Sequence, residues 1–170
     1  MSAADARAPC PGLTMVPDAD DGGPEHLLEG TMARLDPYLN FRTEAREALE
    51  LYRSALGGEL DISTFGAVPG MVEDPAEEDL VMHGQLETPA GLTLMAADTP
   101  SSMPYAAPTA GVTVALTGVA EDMEYVRAAV AVLIEGATDV LPFELAPWGD
   151  HYGQLTDRYG VTWMFDVGTP

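Results

Sequence analysis

Gly84-Gln85-Leu86, followed after four residues by Gly91-Leu92-Thr93-Leu94-Met95, is written twice in this chain. It returns as Gly153-Gln154-Leu155, four residues, and Gly160-Val161-Thr162-Trp163-Met164, every matched position displaced by 69. Six positions are identical and Leu92/Val161 is a conservative pair. Repetition at a fixed offset is the mark of a duplicated supersecondary unit. A two-copy fold sets equivalent positions around one shared cavity.

Working outward from each copy, the pattern reads as strand, helix and three strands. In the first unit the strands are 37–41, 59–65, 80–88 and 92–97, with a helix over 43–56. Thr43 stands where a helix cap belongs, and Leu49, Tyr52 and Leu56 recur at helical spacing as its buried stripe. Gly57-Gly58 stops the helix. In the second unit the strands are 112–117, 140–145, 152–157 and 161–167, with a helix over 121–135 whose apolar face is Tyr125, Ala128, Ala129 and Val132. Gly91 and Gly160 fall in the hairpin turns, where a positive φ is expected.

The predicted architecture is α+β: two tandem βαβββ modules forming a curved, cup-shaped mixed sheet with helices on the outside. Residues 35–98 form the first module, 99–110 a linker with Pro100, Pro104 and Pro108, and 111–168 the second module. Residues 1–34 read as an acidic, Pro/Gly-rich extension with too little apolar content for a core, expected to be flexible. Met32 offers an alternative translation start just before the folded pattern begins.

Composition narrows the function classes. The 170 residues carry 28 acids against seven arginines and no lysine, a net charge of −21. Such a surface repels phosphate backbones and anionic membranes, so neither nucleic acid nor membrane is an expected partner. A high-GC genome and a salt-rich cytoplasm, where screening removes self-repulsion, are both compatible with the lysine-free acidity. No apolar run reaches the roughly 18 residues of a membrane span, and the N-terminus lacks a signal-peptide pattern, so a cytoplasmic location is expected. Cys10 is the single cysteine, which excludes an internal disulfide. The acidic run 73–79 lacks the order of a calcium-binding loop, and the glycines form no phosphate-binding motif.

The modules resemble the vicinal oxygen chelate superfamily of glyoxalases, bleomycin resistance proteins and dioxygenases, and within it the PhnB-like branch. The likeness lies in Pro37-Tyr38-Leu39-Asn40-Phe41, in Ala45 to Tyr52, in Gly57-Gly58-Glu59-Leu60, and above all in Met82-His83-Gly84-Gln85-Leu86 and Trp148-Gly149-Asp150-His151-Tyr152-Gly153. The resemblance implies two modules whose sheets make one cup, and a homodimer in which many relatives pair modules between subunits. It also implies, for metal-using members, four His/Glu/Gln-type ligands, one from the first and one from the last strand of each module. Those positions here offer Pro37 or Tyr38 (with Asp36 just before), Met95, Thr113 or a neighbour, and Met164. Thioether, hydroxyl and phenol groups do not make the N/O shell of Zn, Ni or Fe(II). No metal ligands and no cofactor are therefore predicted.

Two functions follow from the resemblance. One is a binding protein of the bleomycin-resistance type, holding a small apolar or aromatic molecule in a metal-free cup lined by Tyr38, Asn40, Gln85, Met95, Thr113, Trp148, Tyr152 and Met164. The alternative is a lyase, isomerase or dioxygenase-type enzyme with His83 as catalytic base and a divalent metal held by unorthodox ligands. His83 shares a strand face with Gln85 and Glu87. Its other reading is a structural histidine. Trp148 reads equally as an aromatic wall of the cavity or as a loop anchor, and the remaining methionines (Met71, Met82, Met103, Met123) as core filling.

Overall fold

In a computed structural model, residues 34–107 and 111–169 are described; the extension read for residues 1–34 lies, except for Arg34, outside them. The described residues from Leu35 onward make one compact unit. The chain runs β1 (Tyr38–Phe41), α1 (Ala45–Leu56), β2 (Glu59–Thr64), β3 (Val81–Glu87), β4 (Thr93–Asp98), β5 (Thr113–Gly118), α2 (Met123–Leu133), β6 (Thr138–Leu145), β7 (His151–Thr156) and β8 (Thr162–Val167). The first sheet has the order β1-β4-β3-β2 and the second β5-β8-β7-β6. In each, the first strand runs parallel to the last and the other pairings are antiparallel. This is the expected α+β arrangement of two equivalent modules, and the sheets do not close on one another.

Alternation along the strands gives each sheet two faces. Leu39, Phe41, Leu86, Leu94 and Ala96 in the first sheet, and Leu155, Trp163, Phe165 and Val167 in the second, point to one continuous apolar core shared by both modules. Each large side chain fully removed from water contributes roughly 1.5–3 kcal/mol. The helices cover this side. α1 buries Leu49, Tyr52 and Leu56 as the spacing predicts, and adds Ala45, Ala48, Leu51 and Ala55, because it packs on α2 as well as on its own sheet. The face of α2 differs from expectation. Val126, Ala129 and Leu133 are buried, whereas Ala128 is exposed. A helix apolar nearly all round leaves its orientation to packing.

The start of α1 is also held differently from the sequence reading. Thr43 makes no capping bond. Instead Oδ1 of Asp98, at the end of β4, accepts from the Ala45 N–H at 2.9 Å, and Oδ2 accepts from the Val81 N–H at 2.8 Å. One buried carboxylate thus ties helix start, β3 start and β4 end. Burial raises the Asp98 pKa above the ordinary carboxylate range, and the two N–H groups oppose that rise.

The two modules are joined where each helix meets the opposite module. Asp157 in the β7–β8 turn is 2% exposed. Its Oδ1 accepts from the N–H groups of Tyr159 and Val161, and its Oδ2 from the Trp163 indole and the Tyr52 hydroxyl of α1, all within 3.0 Å. Burial first, and the carboxylate beside it second, drive the Tyr52 pKa far above its ordinary value, so this hydroxyl stays a donor. The equivalent position in the first module, 69 residues earlier, is Thr88, whose Oγ1 accepts from the Leu92 N–H at 3.0 Å. Tyr125 of α2 reaches across to the Leu56 carbonyl at 3.0 Å. Each helix therefore sends a tyrosine to the opposite module. Gly91 and Gly160 take matching φ values of 76° and 82° in the two turns, as expected.

Candidate functional site

The remaining sheet faces are open. On the first, the ladder sets Tyr38 beside Met95 and Met95 beside Gln85, with Asp61 next to Gln85. Asn40 neighbours Ala97, and Ser63 neighbours His83. On the second, Ala115 lies beside Met164 and Met164 beside Gln154, while Thr117 and Tyr152 flank Asp166. The repeat thus places the same Gln–Met cross-strand pair on both open faces, and all four side chains are half-buried. Cross-strand neighbours of this kind have Cβ atoms about 4.5–5.5 Å apart, so each pair forms one patch.

Three concavities draw on the predicted residues. A cleft of about 560 Å³ runs along the free edges of β1 and β5 and is lined by Tyr38, Asn40, Val112, Thr113 and Ala115, with Leu35 at its lip. A second, of about 510 Å³, shares Tyr38 and Asn40 and is closed by Phe65, Met71, Met82 and Met103. The third, of about 320 Å³, is polar and holds Glu59, Asp61, His83, Gln85 and Glu87. Both larger volumes fall within the roughly 300–1,000 Å³ of small-molecule sites.

The predicted residues separate as follows. Tyr38, Asn40 and Thr113 meet at the β1–β5 cleft. Tyr38 also reaches His83, its hydroxyl lying 3.3 Å from Nδ1, so the phenol donates whenever the imidazole carries its proton on Nε2. Burial raises the Tyr38 pKa, which keeps that proton in place at neutral pH. Gln85 donates to Glu87 Oε1 at 2.7 Å. Trp148 stands 63% exposed on the loop before β7, which rules out a docked anchor. Its ring meets Tyr152 edge-on at 5.6 Å, and that pair lies in the second module, separate from the Tyr38–His83 pair of the first. His151, the other motif histidine, points the opposite way from Tyr152. It lies 5.9 Å from the Phe143 ring, and its buried Nδ1 has no hydrogen-bond partner.

The side chains at the four strand positions named above are those read from the sequence. Tyr38 and Met95 are direct neighbours, and Met164 pairs with Ala115 rather than Thr113. A phenol, a hydroxyl and two thioethers do not fit a first-row divalent ion. Among the described residues no three His, Cys, Asp or Glu side chains converge on a common point. No helix among them is long and apolar enough to cross a membrane.

Residues 34–165 match the family model of the Glyoxalase/Bleomycin resistance protein/Dioxygenase superfamily. The chain belongs to this superfamily. Among proteins it is similar to, YjdN of Escherichia coli strain K12 is 27% identical over 144 residues, covering 78% of this chain and 94% of YjdN. The crystal structure of PA1353 from Pseudomonas aeruginosa aligns at 30% identity over 81% of this chain and 99% of that one, with a TM-score of 0.68. A Bacillus cereus protein described as a putative 3-demethylubiquinone-9 3-methyltransferase, PhnB protein, is 22% identical with a TM-score of 0.61 over 80% of this chain and all of its own; it shares the fold. This superfamily member shares the fold of these relatives, and the side chains described above form its lining. Sequence reading missed one group in that lining. Met71, Met82 and Met103, taken as core filling, converge with Phe65 in a single concavity. The signal was Met71 and Met103 in proline-flanked loops, which suits an adaptable apolar surface better than a core; Met82, on β3, gave none.

Proposed function

We propose that this protein binds a small apolar or aromatic molecule on its open sheet faces without help from a metal ion. The observation that carries the reading is the Gln–Met pair repeated in register at Gln85–Met95 and Gln154–Met164. Thioethers give a soft apolar contact, and the carboxamides supply orientation. Tyr38, Asn40 and Thr113 extend the surface along the cleft, and Trp148 with Tyr152 supplies an aromatic wall on the second face. The same reading takes the protein to be a cytoplasmic homodimer.

Nile red, a neutral fluorescent aromatic, serves as the probe. Met95→Arg and Met164→Arg each weaken its binding about tenfold or more, equivalent to about 1.4 kcal/mol, because a charged head must be desolvated against the ring. Unchanged affinity in both variants contradicts the reading. A second reading, with His83 as a general base, uses the other tautomer, in which Nδ1–H donates to the Tyr38 hydroxyl and Nε2 is left free to accept a proton. His83→Ala separates the two. The binding reading expects dye affinity to be retained, and a loss would move His83 from the architecture into the site.

A further inference from the structure

We propose that the 510 Å³ concavity at the end of the first sheet is a dedicated subsite for a neutral, planar aromatic group. The inference deepens the ligand-binding reading and rests on it.

The methionine side of its wall comes from three separate segments. Phe65 and Met71 belong to the stretch after β2, Met82 to β3, and Thr99, Met103 and Pro104 to the stretch after β4. Met71 and Met103 are both more than half exposed, although each is part of a concave surface. Flexible thioethers on a concave wall can close on a flat ring, and sulfur favours a position about 5 Å from an aromatic ring, often at its edge.

The walls are fastened before any guest arrives. Arg42 donates to the carbonyls of Thr99 and Pro100 at 3.0 and 3.2 Å, and its guanidinium sits 4.6 Å above the Tyr105 ring. The Ser101 N–H donates to Glu77 Oε1 at 2.7 Å, which binds the two flanking segments to each other. On the other side the N–H groups of Phe65 and Gly66 donate to the carbonyls of Leu80 and Glu78. A preformed wall lowers the ordering cost of binding.

Charge selects the guest. Asp98 is the one charged residue of the lining, and both its oxygens are committed to the backbone N–H groups of Ala45 and Val81. No arginine lines the pocket to receive an anion, and the net charge of −21 repels one. Tyr38 and Asn40, on the wall shared with the β1–β5 cleft, are placed to meet a single hydroxyl or carbonyl substituent. A neutral aromatic carrying one such group fits this lining, and an aromatic acid does not.

Methyl-¹³C methionine labelling of the full chain tests this with 2-naphthol and 2-naphthoate, which share a ring system and differ in charge. Met71→Leu, Met82→Leu and Met103→Leu assign the three signals. The expected result is that 2-naphthol moves the Met71, Met82 and Met103 methyl signals through its ring current, and that 2-naphthoate binds at least tenfold more weakly. Shifts confined to Met95 and Met164 overturn the subsite and leave the open-face reading standing. Equal binding of the two probes overturns the charge argument. No shift at any methionine overturns both the subsite and the reading beneath it.

Discussion

Gly58→Ala is expected to lower stability by about 3 kcal/mol or more, through two costs at one position. Gly58 has φ +100°, outside the range that L side chains favour. A Cβ there would overlap the carbonyl oxygen of Glu87 and lie 2.8 Å from the Thr88 Cα. Both are backbone atoms in the β3 hairpin, which cannot turn aside as a side-chain tip could. Gly70→Ala is the control. Its φ is +81°, yet nothing lies within 4 Å of its Cβ, so only the conformational cost of about 1–2 kcal/mol applies. Urea unfolding of the two variants checks this, and equal midpoints would contradict it. Against a typical total stability of about 5–15 kcal/mol, the difference is easily measured.

Asp157→Ala is expected to cost a comparable 3–5 kcal/mol by a different route. The change strands the Tyr52 hydroxyl, the Trp163 indole and the N–H groups of Tyr159 and Val161. Each buried unsatisfied donor carries a penalty of roughly 1–3 kcal/mol, and water entering the gap recovers part of it. Tyr52→Phe, which removes one donor and leaves the other three bonded, is expected to cost about 1 kcal/mol. Combining Tyr52→Phe with Asp157→Ala should fall short of additivity, since the stranded hydroxyl is then gone. Full additivity in calorimetric or urea measurements would show that Asp157 does not join the modules as described.

Much of this organisation was legible because the chain repeats itself. The 69-residue offset identifies the last hairpin of each module, and strand alternation from those hairpins assigns Gln85, Met95, Gln154 and Met164 to open faces. The same alternation could have separated the histidines, since His83 lies in phase with Gln85 whereas His151 is in phase with Gly153 and Leu155, on the core side. What the sequence withheld were contacts between segments distant in the chain. Asp98 caps α1 across a separation of 53 residues and Tyr52 reaches Asp157 across 105, so neither leaves a local spacing to read. The convergence of Met71, Met82 and Met103 depends on two irregular segments folding over one strand end, and no periodicity encodes that. Between the two readings of Trp148, wall or anchor, the sequence could not choose: a tryptophan in a Gly/Pro loop docks or protrudes according to tertiary room alone.

On the proposed reading, Tyr38, Met95, Thr113 and Met164 form a surface for an organic molecule at the strand positions where metal-using members would hold an ion. Elemental analysis of the full chain, purified without chelator and paired with native mass spectrometry, tests it most directly. A metal-free binding protein should carry Zn, Ni, Mn and Fe far below one ion per chain, together with adducts whose mass matches small organic molecules. One equivalent of any of these metals per chain, retained through purification, would contradict it.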